Sequence, residues 1–179
     1  FGDPTVRYCR PSQGRGEKMQ GIFSLRSKGD LLEKLRHDLS RLKANPRDGN
    51  AAFDFFVTAE SLLDWILPGR ANRDDRENER DSNVLLQITS HLATGAKHFQ
   101  PEAAHHNSVR DSAKTGGVYT AQVYAAQVYR AGIYPKGGLV VELDGDAETQ
   151  LGPRISAFEL AEKVLALWES RLAQPNESL

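Results

Sequence analysis

Residues 50–67, NAAFDFFVTAESLLDWIL, decide the fold. Phe53, Phe55, Phe56, Val57, Leu62, Leu63, Trp65 and Ile66 cover most of the circumference of a helix. A helix apolar on so many sides must be buried on most of them. Asn50 supplies a start and Pro68-Gly69 a stop. One polar stripe runs along the buried helix, Asp54, Thr58 and Ser61, spaced by four and three. That stripe is a candidate binding surface, and it serves equally as the helix's contact with water.

Such a helix needs partners, and the flanking sequence provides them. Over residues 28–44, Leu31, Leu32, Leu35, Leu39 and Leu42 recur at helical steps, leaving Lys34, Arg36, Asp38 and Arg41 outside. Ser27 with Asp30 forms a capping-box-like start, and Asn45-Pro46 ends the helix. A third helix over about residues 82–99 carries Leu85, Ile88, Leu92, Ala96 and Phe99 on one face. A last helix over residues 156–173 opens with Ser156 and Glu159 and carries Phe158, Ala161, Leu165, Trp168 and Leu172. Leu139-Val140-Val141-Glu142-Leu143 is a strand, set between a turn at residues 135–138 and another at Asp144-Gly145-Asp146. The expected class is mainly α: a four-helix bundle with a short strand or hairpin inserted before the last helix.

The connections read as loops. Residues 69–82, GRANRDDRENERDS, are mixed in charge and predict a loop running into a solvated turn or two. Residues 101–118 predict a loop as well. Tyrosines follow at 119, 124, 129 and 134 in a five-residue pattern that matches neither a helix nor a strand, so they share no face in either. That segment predicts a tolerant, slippage-expanded stretch, with an aromatic recognition surface as its functional alternative.

Composition bounds the class. With 39% hydrophobic and 26% charged residues the chain is globular, and a net charge of −1 advertises no polyanion partner. Apolar runs are far shorter than the roughly 20 residues of a membrane span. Met19 is the only methionine, and Gly16-Glu17-Lys18 before it is encodable as a purine-rich ribosome-binding site. Residues 1–18 therefore predict a translated leader or a disordered tail, and residues 19–174 a single helical domain. The leader carries four basic and two acidic residues, +2, so the remainder carries −1 − 2 = −3. It also holds Cys9, the only cysteine, so the remainder has no thiol nucleophile or cysteine metal site, and a cytoplasmic setting is expected.

Chemistry concentrates in residues 91–99, HLATGAKHF. His98 is a candidate general acid or base, with Lys97 beside it and His91 two turns earlier. Gly95 between them permits a close approach of a phosphate or another helix. The plainer reading makes both histidines interfacial side chains satisfied by backbone or carboxylate partners. Asp54 could meet His98 across a helix pair and orient it. His91 and His98 lie about 10 Å apart along a helix, too far to grip one zinc even with His105-His106 nearby. Asp144-Gly145-Asp146 begins like a calcium loop, but Thr149 and Ile155 stand where such a loop needs glycine and glutamate. No metal and no cofactor is expected.

The succession AAFDFF, HLATGAKHF, GGLVVEL and the closing ISAFELAEKVLALWE resembles a group of small uncharacterised bacterial proteins. More distantly, a buried aromatic helix followed by one ending in Lys-His is similar to HEPN-type bundles. That resemblance implies a four-helix bundle, and a place among either the ribonucleases of toxin–antitoxin and phage-defence systems or their non-catalytic members. Active HEPN ribonucleases place an arginine about four to six residues before a histidine, close enough for one phosphate. Here the nearest arginine upstream of His91 is Arg80, eleven residues away. The expectation is a non-catalytic interaction module, with a protein partner, a second copy or RNA as occupant and no membrane association. The alternatives are a metal-independent ribonuclease built on His98, and a small-molecule binder with its pocket among Phe53, Trp65, the histidines and the tyrosine segment.

Overall fold

The computed structural model describes residues 21–97, 108–114 and 138–173. The expected leader, His98, His105, His106 and the tyrosine segment lie outside the described residues. The elements are α1 (Lys28–Ala44), α2 (Gly49–Ile66), α3 (Arg73–Asp81), α4 (Val84–Lys97), β1 (Val109–Lys114), β2 (Leu139–Leu143), α5 (Gly145–Leu151), β3 (Arg154–Ser156) and α6 (Ala157–Ala173).

The protein is mainly helical, with a small antiparallel sheet before the last helix. Helix α2 packs against α1, α4 and α6, and α6 also meets α1 and α4. Four long helices thus share one core around Leu35, Leu42, Phe55, Leu62, Leu86, Ile88, Leu160 and Trp168, all inaccessible to solvent. Their common cause is apolar residues recurring at helical steps, which no helix could leave in water. The expected capping box forms: Ser27 Oγ accepts from the Asp30 N–H at 3.1 Å, and Asp30 Oδ2 accepts from the Ser27 N–H at 2.9 Å. Asp48, rather than Asn50, caps α2, accepting from the N–H groups of Asn50 and Ala51.

The single expected strand is the centre of a three-stranded sheet in the order β1-β2-β3. Val141 pairs with Ser112 on one side and Ile155 on the other, and Val141, Leu143 and Ile155 face the core. Register slips by a bulge between Val109 and Asp111. The Leu139 N–H donates to Pro46 O at 3.1 Å, fixing the sheet to the α1–α2 turn.

Three stretches depart from expectation. The charged loop 69–82 contains α3, a nine-residue helix with Asp74 and Asp75 in its first turn and Arg80 in its last, as the helix dipole favours. The turn at Asp144 opens α5: its side chain accepts from the Gly145 N–H, and Gly152, at φ +86°, ends the helix. Part of the loop 101–118 is β1, whose hydrophilic sequence suits an outer strand.

Candidate functional site

The polar stripe of α2 meets a polar edge of α1, and the two interlock. Asp38 reads as a surface residue in sequence, yet it is 1% exposed. Its position, three after Leu35 and four before Leu42, places it in the buried phase of α1. A carboxylate there must be satisfied. Thr58 Oγ1 donates to Asp38 Oδ2 at 2.9 Å, and Lys34 Nζ donates to the same oxygen at 2.5 Å and to Thr58 Oγ1 at 2.9 Å. One turn along, Arg41 Nη1 donates to Asp54 Oδ2 at 2.6 Å and lies 3.8 Å from Asp38 Oδ1. The Asp54 hydrogen bond holds the Arg41 guanidinium above its ordinary pKa against a smaller opposing effect of burial. Exposed His37 stands 3.8 Å from Asp38 Oδ1.

The three residues of the stripe therefore divide. Asp54 and Thr58 join α1 through Arg41, Lys34 and Asp38, whereas Ser61 Oγ donates to Val57 O at 2.7 Å within its own helix. Lys34, Asp38 and Arg41 went unrecognised in sequence as the partners of the stripe. A charged residue in the same helical phase as core leucines was the available signal.

The histidine region lies on α4. His91 is 9% exposed, and its Nδ1 accepts from the Val109 N–H at 3.1 Å, with Ser108 Oγ within 3.5 Å. It joins α4 to the start of β1, as an interfacial histidine satisfied by backbone does. Gly95 is exposed, and a Cβ added there would meet no described atom within 4 Å. Lys97 is the last residue of α4, and the expected meeting of Asp54 with His98 falls outside the described residues. Among the described residues no group of three or more His, Cys, Asp or Glu side chains could hold a metal ion.

A second charged region lies between α2 and α3. Glu60 Oε1 accepts from Arg80 Nη2 at 2.7 Å, and Asp64 Oδ1 pairs with Arg76 Nε at 3.0 Å. Arg76 Nη1 also donates to Leu67 O at 2.6 Å and Gly69 O at 2.8 Å. Asp64, Arg73, Arg76, Glu77, Arg80 and Asp81 line a cleft of about 300 Å³ here. It is more polar than the pocket expected around Phe53 and Trp65; Phe53 is 46% exposed and Trp65 packs against the core. On the sheet, Glu142 bridges Arg110 at 3.1 Å and Arg154 at 2.7 Å. The hydrogen bond from Arg110 is the main cause that draws the Glu142 carboxyl below its ordinary pKa.

No protein-family model, curated protein or solved structure matches the chain. The four-helix core with its inserted sheet and the α1–α2 polar seam are thus the features on which a functional reading rests. No described helix is long and apolar enough to cross a membrane.

Proposed function

We propose that the chain is a non-catalytic interaction module of HEPN-like type, acting in the cytoplasm on a protein partner or a second copy. The observation that supports this reading most is the α1–α2 seam. Its buried carboxylate, its threonine and both of its cations satisfy one another, with Asp38 between Thr58 and Lys34 and Asp54 on Arg41. Groups so paired hold two helices in register; a general base needs a lone pair directed at substrate. His91 is likewise engaged, its Nδ1 taking the Val109 N–H.

The ribonuclease reading rests on His98 and Lys97, so the test is RNA cleavage. The full chain and His98→Ala are incubated with structured and single-stranded RNA in EDTA. Both are expected to leave the RNA intact at the buffer rate; cleavage by the wild type that the substitution abolishes would overturn the proposal. Sedimentation velocity across a concentration series then identifies the occupant. A coefficient that rises with concentration, or that is a dimer's throughout, marks a second copy, and a monomer's value throughout leaves a different protein as the occupant.

A further inference from the structure

We propose that α3 is a detachable strap, held across α2 and α6 by charge and able to lift while the helical core stays folded. The first ground is its lack of any buried residue: RDDRENERD contributes nothing to the core. What holds it is a charge register. Glu60 and Asp64 stand four apart on α2, and Arg80 and Arg76 stand four apart on α3 in the opposite direction. Glu60 therefore pairs with Arg80 at 2.7 Å while Asp64 pairs with Arg76 at 3.0 Å. A third tether joins Glu79 to Arg171 of α6 at 2.7 Å. These are reaches of long side chains; among the described residues the extensive backbone contacts of α3 are with its chain neighbour α4.

The second ground is that the helices on either side keep terminal hydrogen bonds of their own, beside those that Arg76 of α3 gives to Leu67 O and Gly69 O. Helix α2 closes on the Leu67 N–H donating to Leu63 O at 2.9 Å. Helix α4 opens on Asn83, whose Oδ1 accepts from the N–H groups of Leu85 and Leu86 at 3.0 and 3.4 Å. Those bonds stay in place when α3 moves, and what the end of α2 gives up is the Arg76 donation to Leu67 O and Gly69 O. The pivot on the α2 side is Gly69, at φ +87°, with open space where a Cβ would stand. Lifting α3 bares Glu60 and releases the already exposed Asp64 from Arg76. Glu60 is 7% exposed with the strap in place. The tethers through Asp64 and Glu79, whose carboxylates are exposed, weaken as salt screens them, the buried Glu60–Arg80 pair weakens less, and apolar burial does not weaken that way.

Hydrogen exchange read by mass spectrometry on the full chain tests this at about 20 mM and about 1 M NaCl, where the screening length falls to about 3 Å. Peptides covering residues 70–81 are expected to exchange about ten-fold faster at high salt, with α2 and α6 unchanged. The double variant Asp64→Asn, Glu79→Gln removes two tethers at carboxylates 59% and 41% exposed, and should reproduce the high-salt pattern at low salt. Exchange of α3 unaltered by salt or by the double variant would overturn the proposal, since charge would not be the tether. So would acceleration in step with α2, which would make α3 part of the core. Complete exchange of α3 at the earliest low-salt time would overturn it too, because an undocked helix is not a strap.

Discussion

Helices α2 and α3 are neighbours in sequence and are held by opposite means. Helix α2 buries Ala51, Ala52, Phe55, Phe56, Ala59, Leu62 and Leu63 against three other helices, while α3 buries nothing and reaches α2 and α6 through ion pairs. The difference separates two kinds of helix stability. Burial of apolar area is roughly proportional to surface removed from water and indifferent to charge screening. A helix docked by side-chain charge has a position that responds to salt, and its loss leaves the core intact.

Truncation inside α2 gives the largest contrast. Phe55 is fully buried and meets Phe56 edge-on, with ring centroids 5.3 Å apart. Phe55→Ala is expected to cost about 3–5 kcal/mol, the loss of a buried aromatic plus the cavity left behind. Glu79→Ala on α3 should cost about 1 kcal/mol or less, since Glu79 is 41% exposed and its side chain reaches Arg171 across the surface. Urea midpoints of the two variants check this. Equal losses would break the comparison, for α3 would then be integral to the folded core.

Charge inside the core is the intermediate case. Asp38→Ala leaves the Thr58 hydroxyl buried and takes away the acceptor of Lys34, so a loss of about 2 kcal/mol is expected. Thr58→Val should cost about 1 kcal/mol, and the double variant less than the sum of the two, because both remove one hydrogen bond. Strict additivity in denaturation would show that the Thr58–Asp38 contact contributes nothing, and that the seam resembles the α3 tethers rather than the core.

What was legible in the sequence follows the same division. Helices α1, α2, α4 and α6 and strand β2 were readable because apolar periodicity is the signal that burial writes into a chain. Helix α3 has no apolar residue to reveal a period, and its helical character lies in Arg and Glu propensity and in the placement of charge at its ends. Strand β3 is three residues long, too short to show alternation, and β1 carries Arg110, Asp111 and Ser112 where a half-buried strand would alternate. For the candidate site, Asp54 and Thr58 were visible as a stripe, but their partners were not. Asp38 shares the phase of Leu35 and Leu42, and pairing with Thr58 and Lys34 overrides the ordinary rule that carboxylates stay outside. His91 was recognisable as a flanking residue of α4, but its partner, the Val109 N–H, belongs to a strand that no periodicity announced.

The smallest effect sharpens the comparison at the start of α1, where charge acts on backbone rather than on another side chain. Asp30 Oδ2 accepts from the Arg26 N–H at 3.0 Å and from the Ser27 N–H and Oγ at 2.9 Å each. The Arg26 N–H foremost, then Ser27, hold its carboxyl below the ordinary aspartate value of 3.8. A folded pKa that is depressed contributes stability that is complete above the unfolded value and is lost as pH falls through the folded one. Asp30→Asn keeps an oxygen acceptor and removes the charge, so the gap in urea midpoint between wild type and variant isolates the ionised form. That gap is expected to be constant from about pH 7 to about pH 5 and to close below about pH 4. Because the partners of the Asp30 carboxylate are backbone and hydroxyl donors rather than a charged side chain, the gap should change less with added salt than the exchange of α3 does. A gap independent of pH would mean that the capping geometry, and not the carboxylate charge, steadies the first turn of α1.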